Sequence, residues 1–163
     1  MAYEHIKQEL NDRVLTVTFD RPEVLNAMTP AGYLEMADAV NQAGANPDVG
    51  AIIITGEGRG FQAGANLKTQ TEERAHLQDL KAKQEHNLFG DQWALRDLRN
   101  SVKPTIAAIN GLAYGGGMTV ALLCDLKIAS TEAQFGTAYL KIGLVPGAGL
   151  FQSLIEHVGK AKA

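Results

Sequence analysis

Glycine supplies the first chemical clue. The windows 50–64, 111–117 and 136–149 hold five, four and four of the chain's 17 glycines. The first two windows adjoin apolar runs, VGAIIIT at 49–55 and TIAAI at 105–109. Residues without side chains leave backbone N–H groups open to a ligand. NGLAYGGG at 110–117 runs directly into an apolar stretch, so its last N–H groups start a helix at the positive end of the helix dipole. One N–H from 115–117 and one from 63–66 would make a two-donor oxyanion hole. The same glycines could serve only to let strands and helices pack closely. Spacing alone favours this packing use over a ligand site.

Other chemistries fare worse. Gly58-x-Gly60-x-x-Ala63 partly matches a dinucleotide-binding fingerprint. That fingerprint opens a helix directly after the first strand of its unit, whereas here Gly64 and Asn66 continue a loop after a later strand. No Gly-Lys-Ser/Thr occurs, which excludes a P-loop. The single Cys124 rules out a disulfide framework or a cysteine-built zinc site, and its apolar surroundings assign it to the core. His5, His76 and His157 show no ligand spacing. A net charge of −3 gives no basic bias toward nucleic acid. With 45% hydrophobic and 20% charged residues, the chain is a folded globular protein rather than a disordered one. No apolar run is long enough to span a membrane, and MAYEHIKQEL has no leader-like apolar core, so the expected location is cytoplasmic.

The elements that must position the loops follow from periodicity. RVLTVTF at 13–19 alternates as a strand. Thr29-Pro30 caps a helix over 30–43, with Leu34, Ala37 and Val40 on one face. The β-branched run 49–55 reads as a strand buried on both faces, as in a parallel sheet. Residues 71–100 are polar and helical, divided at Gly90. TIAAI and LKIAS at 126–130 are further parallel strands, 117–125 is a short apolar helix, and 150–158 begins an amphipathic one. This alternation predicts an α/β protein built from right-handed crossovers, without an internal domain boundary over 1–163.

Five blocks carry a resemblance. RPEVLNAM at 21–28, GRGFQAGANLK at 58–68, KPTIAAINGLAYGGG at 103–117, CDLKIAS at 124–130 and AQFGTAYLKIGLVPGAG at 133–149 closely resemble the crotonase (enoyl-CoA hydratase/isomerase) superfamily, in order and spacing. The resemblance implies a spiral of ββα units that binds an acyl-CoA thioester and stabilises its enolate. It implies no cofactor apart from the coenzyme A of the substrate. The oxyanion donors would be the backbone N–H groups of Ala65 and Gly116. Leu25, Ala27, Ala63 and Leu67 match positions that frame the adenine and pantetheine. Lys68 matches a cation near the CoA phosphates, with a solvated surface lysine as the plainer use. Asn66 stands where the family usually has Asp.

The chain departs from the family in its acids. Hydratases of this type use two glutamates to activate water and deliver a proton. Those positions fall at Thr119 and Tyr139, and the single acid of some Δ3,Δ2-enoyl-CoA isomerases falls at Gly147. Thr119 and Tyr139 are expected to border the bound substrate instead, Tyr139 with a hydrogen bond in the acyl pocket. Glu85 and His86 are the remaining candidates to face the acyl end, and Asp125 reads as a structural hydrogen-bonding residue. The resemblance also implies a longer chain, so this one is expected to lack the C-terminal helical region that completes the pocket and drives formation of a homotrimer or hexamer. The expectation is therefore a hydratase-type enzyme before an isomerase. A non-catalytic acyl-CoA-binding or assembly protein is the alternative.

Overall fold

The computed structural model describes residues 3–67, 90–137, 139–143 and 145–163. Lys68, His76, Glu85 and His86 lie outside the described residues, as does most of the polar helical stretch.

Strands β1 (Ile6–Asn11) and β2 (Val14–Phe19) form an antiparallel hairpin. Asp12 and Arg13, at φ +46° and +66°, make its two-residue turn. Two left-handed residues match the twist of the strands they join. β1 was not expected from the sequence. Only Ile6 of its residues is buried, because it is a charged edge strand without an apolar alternation. Strands β3 (Ala51–Gly56), β5 (Thr105–Ile109) and β7 (Leu126–Ala129) add in parallel, giving the order β1-β2-β3-β5-β7.

A second sheet lies inside the windows that read as loops. Strands β4 (Gly60–Gln62), β6 (Leu112–Tyr114) and β8 (Gln134–Gly136) pair in parallel in the order β4-β6-β8. Each follows a strand of the large sheet after a few residues, so β3–β4, β5–β6 and β7–β8 repeat one pattern. This is the β–β part of the expected ββα unit. Gly60–Gln62 being a strand also disposes of the dinucleotide reading, which needs a helix there.

Helix α1 (Pro30–Ala45) starts where expected, with the Thr29 hydroxyl accepting the Gly32 N–H at 3.1 Å and Pro30 in its first turn. It packs against α2 (Gly90–Arg99). Helices α3 (Gly116–Leu123) and α4 (Leu150–Val158) follow. The core gathers Val17, Phe19, Ile52 and Ile54 from the large sheet, Phe61 from β4, Met36 and Val40 from α1, and Met28 from the segment before α1. Phe19 and Phe61 meet edge to face, with ring centres 5.7 Å apart. β3 buries Ile52 and Ile54 on one face, whereas Ala51, Ile53 and Thr55 on the other are only half-buried. No helix among the described residues is long and apolar enough to cross a membrane.

Candidate active site

The site begins with a backbone clamp. Segment 25–28 runs beside 63–66: Leu25 O accepts the Ala63 N–H at 2.9 Å, Met28 N–H donates to Gly64 O at 2.9 Å, and Met28 O accepts the Asn66 N–H at 2.8 Å. Met28 and Ala65 thus form an isolated parallel bridge. In such a bridge the partner residue's own N–H points away from the strand that flanks it. Ala65 therefore turns its N–H off the clamp, and no described residue accepts from it.

Asn26 sets the clamp's shape. Leu25 and Asn26 both sit in the left-handed region, at φ +53° and +59°, and Asn is among the few non-glycine residues found there often. The fully buried Asn26 side chain accepts the Arg21 N–H at 2.9 Å and donates to Glu57 O at 3.0 Å and Gly60 O at 2.8 Å. Asn110 grips the same turn from the other side, donating to Gly56 O and Gly58 O, each at 2.9 Å. Neither asparagine carries a motif that marks this role in the sequence.

The start of α3 closes against this clamp. Gly115 caps the helix, its N–H bonded to Gly136 O of β8 at 2.9 Å. Gly64 sits at φ +96°, and a Cβ there would lie 3.0 Å from Tyr114 O and 3.3 Å from the Gly116 nitrogen. A side chain at 64 would thus crowd the very N–H that opens the helix. A Cβ on Gly116 would overlap the Tyr33 hydroxyl, and one on Gly117 the Gln62 carbonyl. The Gly116 N–H donates to no described residue. Close packing and open N–H groups thus coexist in these loops. Among the described residues, a Cβ on Gly64, Gly115 or Gly116 would meet first backbone, Tyr33, Gln62 and Tyr139, none of them a carboxylate.

The other expected residues spread around this point. Leu25, Ala27 and Ala63 are half-buried along the clamp, and Leu67 is exposed at its end. Tyr139 is half-buried in a short 3-10 turn, its ring 3.9 Å from where a Cβ on Gly115 would stand. Thr119 is fully buried, and its hydroxyl donates to Gly115 O at 3.2 Å. It braces the cap and shows no surface to a ligand. Gly147 is exposed in the turn before α4. Asp125 is a hydrogen-bonding residue: its carboxylate accepts both the N–H and the hydroxyl of Thr105 at 2.8 Å. Those bonds, the backbone one foremost, hold its pKa below the usual carboxylate value. Burial pushes the Cys124 thiol up to about 12, which makes it an inert core group.

One trio mimics a nucleophilic triad. His5 Nε2 lies 3.1 Å from the Thr29 hydroxyl and His5 Nδ1 3.1 Å from Glu35. The Thr29 oxygen already accepts the Gly32 N–H, and Thr29 is buried, so the trio is a helix cap tied to the N-terminal segment. Burial pushes the Glu35 pKa up, but hydrogen bonds from His5 and the Glu4 N–H outweigh it and hold the carboxyl below its ordinary value. No group of three or more His, Cys, Asp or Glu able to hold a metal occurs among the described residues.

Two sheets in this order, with glycine clamps at their junction, can be set against known proteins. A family model described as enoyl-CoA hydratase/isomerase matches residues 9–163. The chain belongs to the enoyl-CoA hydratase/isomerase family. A probable enoyl-CoA hydratase of Mycobacterium tuberculosis is 40% identical over 163 residues, covering 100% of this chain and 60% of that protein. The crotonyl-CoA hydratase of Syntrophomonas wolfei is 38% identical over 166 residues, covering 100% of this chain and 61% of its own. The solved structure of an enoyl-CoA hydratase from Polaromonas superposes with a TM-score of 0.85 at 34% identity, covering 96% of this chain and 60% of that one. The chain thus spans about 60% of the length of these relatives. Its fold is the family's mixed α/β fold, as the motif blocks implied.

Proposed function

We propose that this chain binds an acyl-CoA thioester and holds the thioester oxygen, as it gains enolate charge, with the N–H groups of Ala65 and Gly116. The observation that carries this is the meeting of Gly64 with the Gly116 nitrogen, at a point where neither donor is committed to a described residue. The dipole of α3 favours negative charge at Gly116, and preorganised N–H donors stabilise charge that develops in the transition state. The clamp residues Leu25, Ala27, Ala63 and Leu67 border the adenine and pantetheine, and Lys68 pairs with a CoA phosphate. Tyr139 lines the acyl end, and Thr119 supports it through the Gly115 turn. Hydration is favoured over isomerisation because the relatives above carry hydratase names.

A second reading, acyl-CoA binding without turnover, has its own support. Thr119 and Tyr139 occupy the two glutamate positions, and losing a positioned acid or base lowers a rate by about 10²–10⁴-fold. Calorimetric titration with acetyl-CoA and crotonyl-CoA, followed by an assay for loss of the enoyl absorbance, separates the two. Binding with slow hydration is the expected result. Binding with no hydration supports the second reading, and no binding refutes both. Turnover near about 10 s⁻¹ would show that an acid outside this account is at work.

We also propose self-association as a trimer or hexamer. Leu126, Ile128, Phe135, Leu140 and Val145 are all exposed by half or more, which is costly for a lone monomer in water. Sedimentation giving only a monomer would refute this.

A further inference from the structure

Beneath the two loops lies a polar pair that neither the clamp nor the proposed chemistry uses. Gln62, on β4, is fully buried, and its Oε1 accepts the hydroxyl of Tyr33, from α1, at 3.2 Å. The Gln62 Nε2 has no hydrogen-bond partner among the described residues. A buried amide donor without a partner is unfavourable, and an apolar side chain of the same size would avoid the penalty. Both residues press on the first turn of α3. The Tyr33 hydroxyl stands where a Cβ on Gly116 would go, with Gln62 Oε1 3.6 Å from that point, and the Gln62 carbonyl fills the same place at Gly117. The pair therefore joins three elements, α1, β4 and the start of α3, at the residue whose N–H donates to no described residue.

We propose that Tyr33 and Gln62 are positioning residues, which fix the direction of the Gly116 N–H from below. The inference rests on Gly116 being an oxyanion donor, as proposed above. A hydrogen bond weakens steeply as its angle departs from linear, so a small rotation of the first α3 turn would reduce polarisation of the ligand carbonyl while leaving the CoA contacts intact. The hydroxyl sets the contact distance at Gly116, and its bond to Gln62 keeps it there.

The test uses the full chain with cinnamoyl-CoA, whose conjugated thioester absorbs further to the red when its carbonyl is polarised. Wild type is expected to bind it with a red shift. Tyr33→Phe removes one oxygen and is expected to bind with unchanged Kd but lose most of the shift. Gln62→Met keeps volume and removes the orphaned donor. It also removes the acceptor of the Tyr33 hydroxyl, so it is expected to melt slightly lower than wild type, to bind with unchanged Kd and to lose the shift, a split between binding and polarisation that a purely structural role would not give. The double variant should lose no more than either single one. Both single variants keeping the full shift would overturn the positioning role while leaving the oxyanion proposal standing. Wild type binding without any shift would overturn both. If Tyr33→Phe fails to fold, Gln62→Met alone decides.

Discussion

A Cβ placed on Gly56, Gly111 or Gly117 would overlap backbone carbonyl oxygens, whereas one on Gly143 or Gly149 would meet nothing within 4 Å. The first group holds β3, β4, β6 and α3 in backbone contact beside the place where Gly64 meets the Gly116 nitrogen. The second group only turns the chain, at φ +69° and +81°, in a region rich in exposed apolar side chains. One residue type is thus required for space in one region and for backbone freedom in the other. Clustering in the sequence looks alike in both, and only the second sheet separates them.

The comparison can be broken most sharply at Gly117. Gly117→Ala should lower stability by about 3 kcal/mol, because the overlap is with the Gln62 carbonyl and neither backbone can yield cheaply. Urea unfolding measures it. Asn26→Ala should come next, at about 2 kcal/mol, since it strands the Arg21 N–H and removes donors to Glu57 O and Gly60 O inside a left-handed turn. Asn110→Ala, at a part-exposed site, should lose less by the same measurement. Gly149→Ala should lose about 1 kcal/mol, from the left-handed backbone alone. A loss at Gly149 equal to that at Gly117 would erase the distinction between the two groups.

The smallest effect lies away from both groups, at the cap of α1. Glu35 has a folded pKa below its unfolded value of about 4.3, so its contribution is present above that pH and lost as pH falls through the folded value. Glu35→Gln should therefore melt slightly lower than wild type at pH 7, by less than about 1 kcal/mol in stability. The gap should close as pH falls below about 4.3. Melting temperature followed from pH 7 to pH 3 checks the sign, and a gap that widens in acid would contradict it.

Much of this was legible in the chain. Alternation gave β2, β-branched runs gave β3 and β5, and Thr29-Pro30 marked the start of α1. The second sheet was hidden because β4, β6 and β8 are three residues each, too short for periodicity and placed where glycine signals a turn. The two loops carrying Ala65 and Gly116 stand out as a site only through the family motifs, because spacing alone favours close packing. The role of Asn26 is hidden in the sequence because Glu57 and Gly60, which its side chain ties, lie 31 and 34 residues away. Its one visible signal was Asn in a turn, which suits the left-handed conformation it adopts. Tyr33 and Gln62 read as a helix residue and a loop residue, and only the fold brings them together.

A thioester site formed where the two glycine loops meet would bring the ligand oxygen to the Ala65 and Gly116 amides. Backbone amide NMR of the ¹⁵N-labelled chain, titrated with crotonyl-CoA, tests it most directly. The Ala65 and Gly116 amide protons should move furthest downfield as they gain an oxygen acceptor, while Gly143 and Gly149 stay nearly fixed. Binding that leaves Ala65 and Gly116 unmoved would contradict the account.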